Sequence, residues 1–265
     1  MLPPDITSEL LTYLVEQQFQ PGDQLPTLTE LSAALGISVN KLREQLEVAR
    51  ILGLVEVRPR AGIRVRPYSF LPAVRLSVLY ALAMDRDHFR AFSDLRFSSE
   101  VGMWREAVSR LLPEDHARLR ALVAGAWRKL NGTPVRIPHQ EHREFHLTIF
   151  SRLENTFATA VLEAFWEAYE AIEYHIYADY QYLREVWTYH EHMADAIIRG
   201  DVEGSLATFV EHTRLLRHRD APGSEYPTVA GVASSLVPDE VPAPIRPNGL
   251  ADRPDAATHT DSVTE

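Results

Sequence analysis

The sequence predicts a mainly α fold in two parts. A small N-terminal unit of three helices and a hairpin precedes an antiparallel all-helical bundle of six to seven helices. Three observations predict it. From about residue 70 to 218, apolar residues recur at helical spacing, broken only at turn-forming residues. Before that, short helical stretches are punctuated by capping residues and glycines. Between the two, residues 54–66 alternate in the manner of paired strands.

In the N-terminal unit, Ile6, Leu10, Leu11 and Leu14 mark an amphipathic first helix that Pro21-Gly22 ends. Thr27-Leu28-Thr29-Glu30 reads as a capping box opening a second helix, with Leu31 and Leu35 inward and Gly36 at its end. Ser38 caps a third helix, whose buried stripe is Leu42 and Leu46, and Gly53 stops it. Two strands follow around Pro59-Arg60-Ala61-Gly62. Their alternation puts Val55, Val57, Ile63 and Val65 on one face and Arg58, Arg64 and Arg66 on the other.

The composition break at Arg66-Pro67-Tyr68-Ser69 sets domain boundaries of 1–68 and 69–220. In the second domain helices are expected near 70–85, 87–110, 113–131, 138–152, 155–180, 181–199 and 201–218. Short links between long helices imply antiparallel neighbours. Residues 221–265 hold 7 of the chain's 17 prolines and no apolar periodicity, so a disordered tail is expected there.

Composition excludes several classes. No apolar run approaches the length of about 18 residues that a membrane span requires. The N-terminus MLPPDITSELL lacks the basic start of a secretion signal, which predicts a cytoplasmic protein without a membrane partner. With no cysteine, any metal has to be held by His, Asp or Glu. A net charge of −10 argues against indiscriminate nucleic-acid binding. Yet all seven cations of residues 1–68 lie at or after Lys41, while five of its eight acids precede it, so a local basic patch is present.

Two short helices across a tight turn, followed by a basic hairpin, form a winged helix-turn-helix, which reads double-stranded DNA. The third helix presents Ser38, Asn40, Lys41 and Arg43 at its N-terminal end. Ser38 and the helix amides suit a phosphate, Asn40 an adenine, and Arg43 a guanine or a phosphate. Arg58, Arg60 and Arg64 of the wing reach the neighbouring backbone or minor groove. Taken singly, each of these side chains is equally well read as part of a solvated face. One recognition helix reads too few bases for genomic specificity, so a homodimer on a palindromic operator is expected.

Four histidines in the bundle have informative spacing. His142 and His146 share one helix face at i, i+4. His190 and His212 stand 11 residues before and after Asp201, so a helical hairpin turning there brings both to one level, about 16 Å from the turn. Two such levels facing each other can place four imidazole nitrogens around one divalent ion. Against this stands the ordinary role of histidine as a surface or hydrogen-bonded core residue. His192, two positions from His190, points elsewhere and serves as a control.

These residues also carry a resemblance. Leu25-Pro26-Thr27, Glu30-Leu31, Leu35-Gly36-Ile37-Ser38, Arg43-Glu44, Leu46, Gly53-Leu54-Val55, and Arg60 with Gly62 and Val65 resemble the GntR family of bacterial regulators across residues 5–66. Thr29 and Val39 stand where that family usually carries DNA-contacting arginines, which implies an altered operator sequence. The second part resembles the metal-containing effector-binding (FCD) domain of the FadR-type branch, through His142-x-x-Phe145-His146 and the stretch from His190 through Gly200-Asp201 to His212. The resemblance implies a metal-assisted site for a small organic acid. His142 replaces the family's usual Asp, which favours Zn, with Ni as the alternative, over Mn. It also implies that Arg96 faces the effector; the other reading is an ordinary surface pair with Glu100.

A ligand-responsive transcriptional regulator is therefore the leading expectation. A metal-dependent enzyme and a direct metal sensor are the alternatives. Arg143 stands where an HExxH motif requires its catalytic Glu, and no P-loop, dinucleotide or nucleophile-elbow motif is present, so no enzyme activity is expected.

Overall fold

A computed structural model of the chain describes residues 8–173 and 180–219. The tail expected at 221–265 and Ile6 of the first helix lie outside the described residues.

The N-terminal unit runs α1 (Glu9–Glu16), α2 (Leu28–Leu35), α3 (Val39–Ile51), β1 (Val55–Arg58) and β2 (Gly62–Val65). Each helix starts on a side chain that accepts an otherwise orphan amide. Ser8 accepts from Leu11 N, Thr27 from Glu30 N, and Ser38 from Lys41 N. The Thr27 amide in turn donates to Glu30 Oε2 at 2.8 Å, closing the capping box. Gly36 ends α2 at φ 65°, a left-handed position, and so turns the chain into α3.

Leu10, Leu25, Leu31, Leu42, Leu46, Ala49, Val55 and Ile63 form one apolar core beneath these elements. Gln45 pins α1 onto α3, because its Oε1 accepts from both Ser8 Oγ and Leu10 N. The strands pair antiparallel, with Val55 opposite Val65 and Val57 opposite Ile63. One assignment of the hairpin face is corrected. Val57 is 45% exposed, not packed. β2 lies between β1 and a bridge at Gln24, so β1 is the outer strand, and it is buried only at its start, Val55.

Seven helices follow among the described residues: α4 (Leu71–Met84), α5 (His88–Ser109), α6 (Pro113–Leu130), α7 (His139–Ile149), α8 (Thr156–Glu173), α9 (Tyr180–Ile198) and α10 (Val202–Arg219). α7 stops short of the span read from the sequence, and the expected end of α8 beyond Glu173 lies outside the described residues. α9 packs on α6 and α10, α5 on α8 and α10, and α7 on α6 and α8; rings of α7 meet those of α9 and α10 in a shared interior. That interior is dense with rings. Trp104, Phe145, Trp187 and Phe209 are all buried, and Trp104 Nε1 donates to Ser205 Oγ at 2.9 Å. Gly200 at φ 76° and Asp201, whose carboxylate accepts from Gly204 N at 2.8 Å, make the tight turn from α9 to α10. No described helix is long and apolar enough to cross a membrane.

Candidate metal centre and nucleic-acid interface

The α9–α10 turn sets the level of His190 and His212, whose ring centroids lie 4.6 Å apart. α7 presents His142 and His146 from the facing side, and the centroids of His142 and His190 are 4.7 Å apart. One ligating atom from each of the four rings lies within 4.8 Å of the other three, and all four residues are buried. His192 is exposed and stands outside the cluster.

The hydrogen bonds inside the cluster are uneven. His190 Nδ1 sits 2.7 Å from the Val186 carbonyl oxygen, an arrangement that only a donating Nδ1–H satisfies, so its Nε2 carries a lone pair. That Nε2 lies 3.2 Å from His146 Nε2. His142 Nε2 and both ring nitrogens of His212 are buried with no partner among the described residues. Burial, then the neighbouring rings or the Arg96 guanidinium, holds all four imidazoles well below the usual histidine pKa. The result is a set of neutral imidazoles with inward, unpartnered nitrogens, and that donor set fits a divalent cation.

Arg96 is not half of an ordinary surface pair with Glu100, because both side chains are buried. Its side chain is buried against Glu100, with Nε 2.7 Å from Oε2 and Nη2 donating to Oε1 at 3.2 Å. Nη2 also lies 3.2 Å from His146 Nδ1. The guanidinium carbon stands over the rings of Phe165, at 4.3 Å, and Trp166, at 5.0 Å. Those aromatic side chains of α8 are what bury the pair. Glu100 is fully buried, which pushes its carboxyl pKa up while Arg96 opposes the rise. Its Oε1 lies 3.5 Å from His146 Nδ1, so it belongs to the same site. Sequence reasoning noted Glu100 only as the partner of Arg96.

At the other end of the molecule, the N-terminus of α3 and the wing expose their polar side chains. The Ser38 hydroxyl is already engaged as the cap of α3. Asn40 Oδ1 accepts from Arg43 at 3.4 Å, and both residues are exposed. Lys41 is paired with Glu9. Glu56 serves Arg58 at 3.1 Å and Arg66 at 3.9 Å, and Arg64 donates to the Gly22 carbonyl at 2.9 Å. Arg60 sits in the hairpin turn at φ 64°, fully presented to solvent. Arg43 and Arg60 form no ion pair among the described residues.

Comparison with known proteins follows the same division. Residues 4–65 match the family model of bacterial regulatory proteins, gntR family, and residues 92–215 match the FCD domain. The chain is 23% identical over 226 residues to the uncharacterized HTH-type transcriptional regulator YcbG of Bacillus subtilis, covering 83% of this chain and 90% of that protein. It is 24% identical over 211 residues to the Uxu operon transcriptional regulator of Escherichia coli, covering 78% and 81%. Its fold is similar to that of a solved Streptococcus agalactiae GntR structure, with a TM-score of 0.58 and 18% identity, over 80% of this chain and 96% of that one.

Proposed function

We propose that this chain, which belongs to the GntR family of transcriptional regulators and joins that family's DNA-binding domain to an FCD domain, senses a small carboxylate through a divalent metal in its helical part. DNA binding and transcriptional regulation follow from the family, and its relatives are named as regulators rather than enzymes. The single observation that carries the metal reading is the convergence of four buried imidazoles, of which His142 and His212 leave nitrogens unpartnered. Burying such atoms without a partner costs about 1–3 kcal/mol each, and a cation removes that cost.

His142, His146, His190 and His212 would hold the ion. Four neutral nitrogen donors and no carboxylate among them favour Zn, with Ni as the alternative, over Mn. The bound ion supplies a Lewis-acidic position for a carboxylate oxygen, and Arg96 borders that position. On the DNA side, Ser38, Asn40, Lys41, Arg43, Arg58, Arg60 and Arg64 are the contacts proposed for operator DNA. A cytoplasmic homodimer on a two-fold operator is the form that suits this chemistry.

Three experiments test the reading. Metal analysis of the purified protein should find about one Zn or Ni per chain, as four ligands for one ion require. A thermal-shift screen of small organic acids should find stabilisation by an acid only in the metal-loaded protein. A gel shift on the chain's own upstream region, with and without that acid, then links the site to DNA. A metal-free protein that responds equally to the same acid would overturn the metal reading.

A further inference from the structure

His146 faces three groups that cannot all be satisfied by one form of its ring. Its Nδ1 lies 3.2 Å from Arg96 Nη2, which can only donate, and 3.5 Å from Glu100 Oε1, which accepts as a carboxylate. Its Nε2 lies 3.2 Å from His190 Nε2. The bond from His190 Nδ1 to Val186 O leaves that nitrogen as an acceptor. As drawn by these distances, the neutral His146 ring carries its proton on Nε2. Nε2–H donates to His190, and the Nδ1 lone pair accepts from Arg96. The distances to Arg96 and His190 suit that form, and the contact with Glu100 is the one left unsatisfied.

It is also the form that cannot bind a cation through Nε2, because the lone pair that a metal needs is a hydrogen there. His190 has no such difficulty, since its carbonyl partner already fixes the ligating tautomer. We propose that His146 is a tautomeric switch, held by Arg96 in its metal-free form and by Glu100 in its metal-bound form. On loading, the N–H bond at Nε2 breaks and one forms at Nδ1, with no net change of protons on the ring. Nδ1–H then donates to Glu100, and the Arg96 N–H that had pointed at Nδ1 loses its acceptor.

A buried guanidinium N–H without an acceptor calls for an anion, and an organic carboxylate is the anion proposed above. The inference thus rests on the metal reading. It explains how metal loading would prepare Arg96 for the effector without moving a helix. Glu100 is a positioning residue in this scheme, acting on the metal through His146.

The test is long-range proton–nitrogen correlation NMR on the full chain labelled with nitrogen-15 histidine, before and after addition of Zn(II). The expected result is His146 protonated at Nε2 in the metal-free protein and at Nδ1 once zinc is bound, with His190 protonated at Nδ1 in both. An Arg96→Met variant, folded by circular dichroism, should shift metal-free His146 toward the Nδ1 form, because the competing donor is gone. A purely structural Arg96 would leave the tautomer unchanged. If zinc binds and shifts the other three rings while His146 keeps one tautomer throughout, the switch is overturned and the metal reading stands. If zinc does not bind, both fall. The wild-type measurement decides the matter even if the variant does not fold.

Discussion

Gly53, just past the end of α3, lies against the ring of Pro72 in the first turn of α4, so close that a Cβ on the glycine would fall 2.8 Å from Pro72 Cγ. This contact joins the DNA-binding unit to the first helix of the bundle. Gly53 is also held at φ 72°, where an L side chain is strained.

Gly53→Ala therefore meets both a clash and a disfavoured backbone. A loss of about 1–3 kcal/mol in unfolding free energy is expected. Thermal denaturation of the variant beside the wild type measures it. An unchanged midpoint would mean that Pro72 moves aside freely.

Stripping the metal should destabilise the protein. At a free-ion concentration of about a thousand times Kd, binding contributes roughly 4 kcal/mol. For a protein of this size that corresponds to a fall of about 8–16 °C in midpoint on chelation. The same chelator should have little effect on His212→Gln, which lacks one proposed ligand. Equal sensitivity of the two proteins would place the stabilising ion elsewhere.

Acid should weaken the metal-free protein at mildly low pH. The four buried imidazoles have folded pKa values below the unfolded value of about 6.5. Below that pH the unfolded chain takes up protons that the folded chain refuses, so stability is present above it and lost as pH falls toward the folded values. Each imidazole contributes a limiting slope of about 1.4 kcal/mol per pH unit. Denaturation of the chelated protein from pH 7.5 downward reads this directly. A midpoint that stays flat through that window would contradict it.

For DNA, Arg43 and Arg60, which form no ion pair among the described residues, should matter in different ways. Arg43→Ala is expected to weaken binding to the chain's operator by about 1–3 kcal/mol and to relax base preference. Arg60→Ala, on a phosphate or in the minor groove, should lower the slope of log affinity against log salt by about one. Fluorescence anisotropy across a salt series separates them. Identical slopes for Arg60→Ala and the wild type would remove the wing tip from the interface.

Much of the fold was legible because local chemistry announced it. Thr27 with Glu30, Gly36, Ser38, Gly53 and Gly200 each mark an element end by a capping or backbone rule that acts within a few residues. The level of His190 against His212 was legible for a similar reason, since a hairpin makes equal sequence distances equal heights. What escaped depends on elements far apart in the chain. An i, i+4 Arg96–Glu100 pair looks the same in sequence whether water or an aromatic wall covers it, and that wall is Phe165 and Trp166 of α8. Glu100 beside His146 joins α5 to α7, a contact that no local pattern encodes. Val57 alternates correctly, yet the order of strands leaves it at the outer edge.

The partners of the cations around the proposed DNA contacts bear on how the protein would find its operator. Lys41 leans on Glu9, Arg58 and Arg66 share Glu56, and Arg64 holds the Gly22 carbonyl. Were these cations to meet DNA, each would exchange a partner it already has for a phosphate, so only the difference between the two would contribute to affinity. Random DNA would gain little from that exchange and hold the protein briefly. On that reading, search would proceed by frequent release and recapture rather than long slides along one duplex, with dwell time reserved for sequences that also engage Asn40 and Arg43.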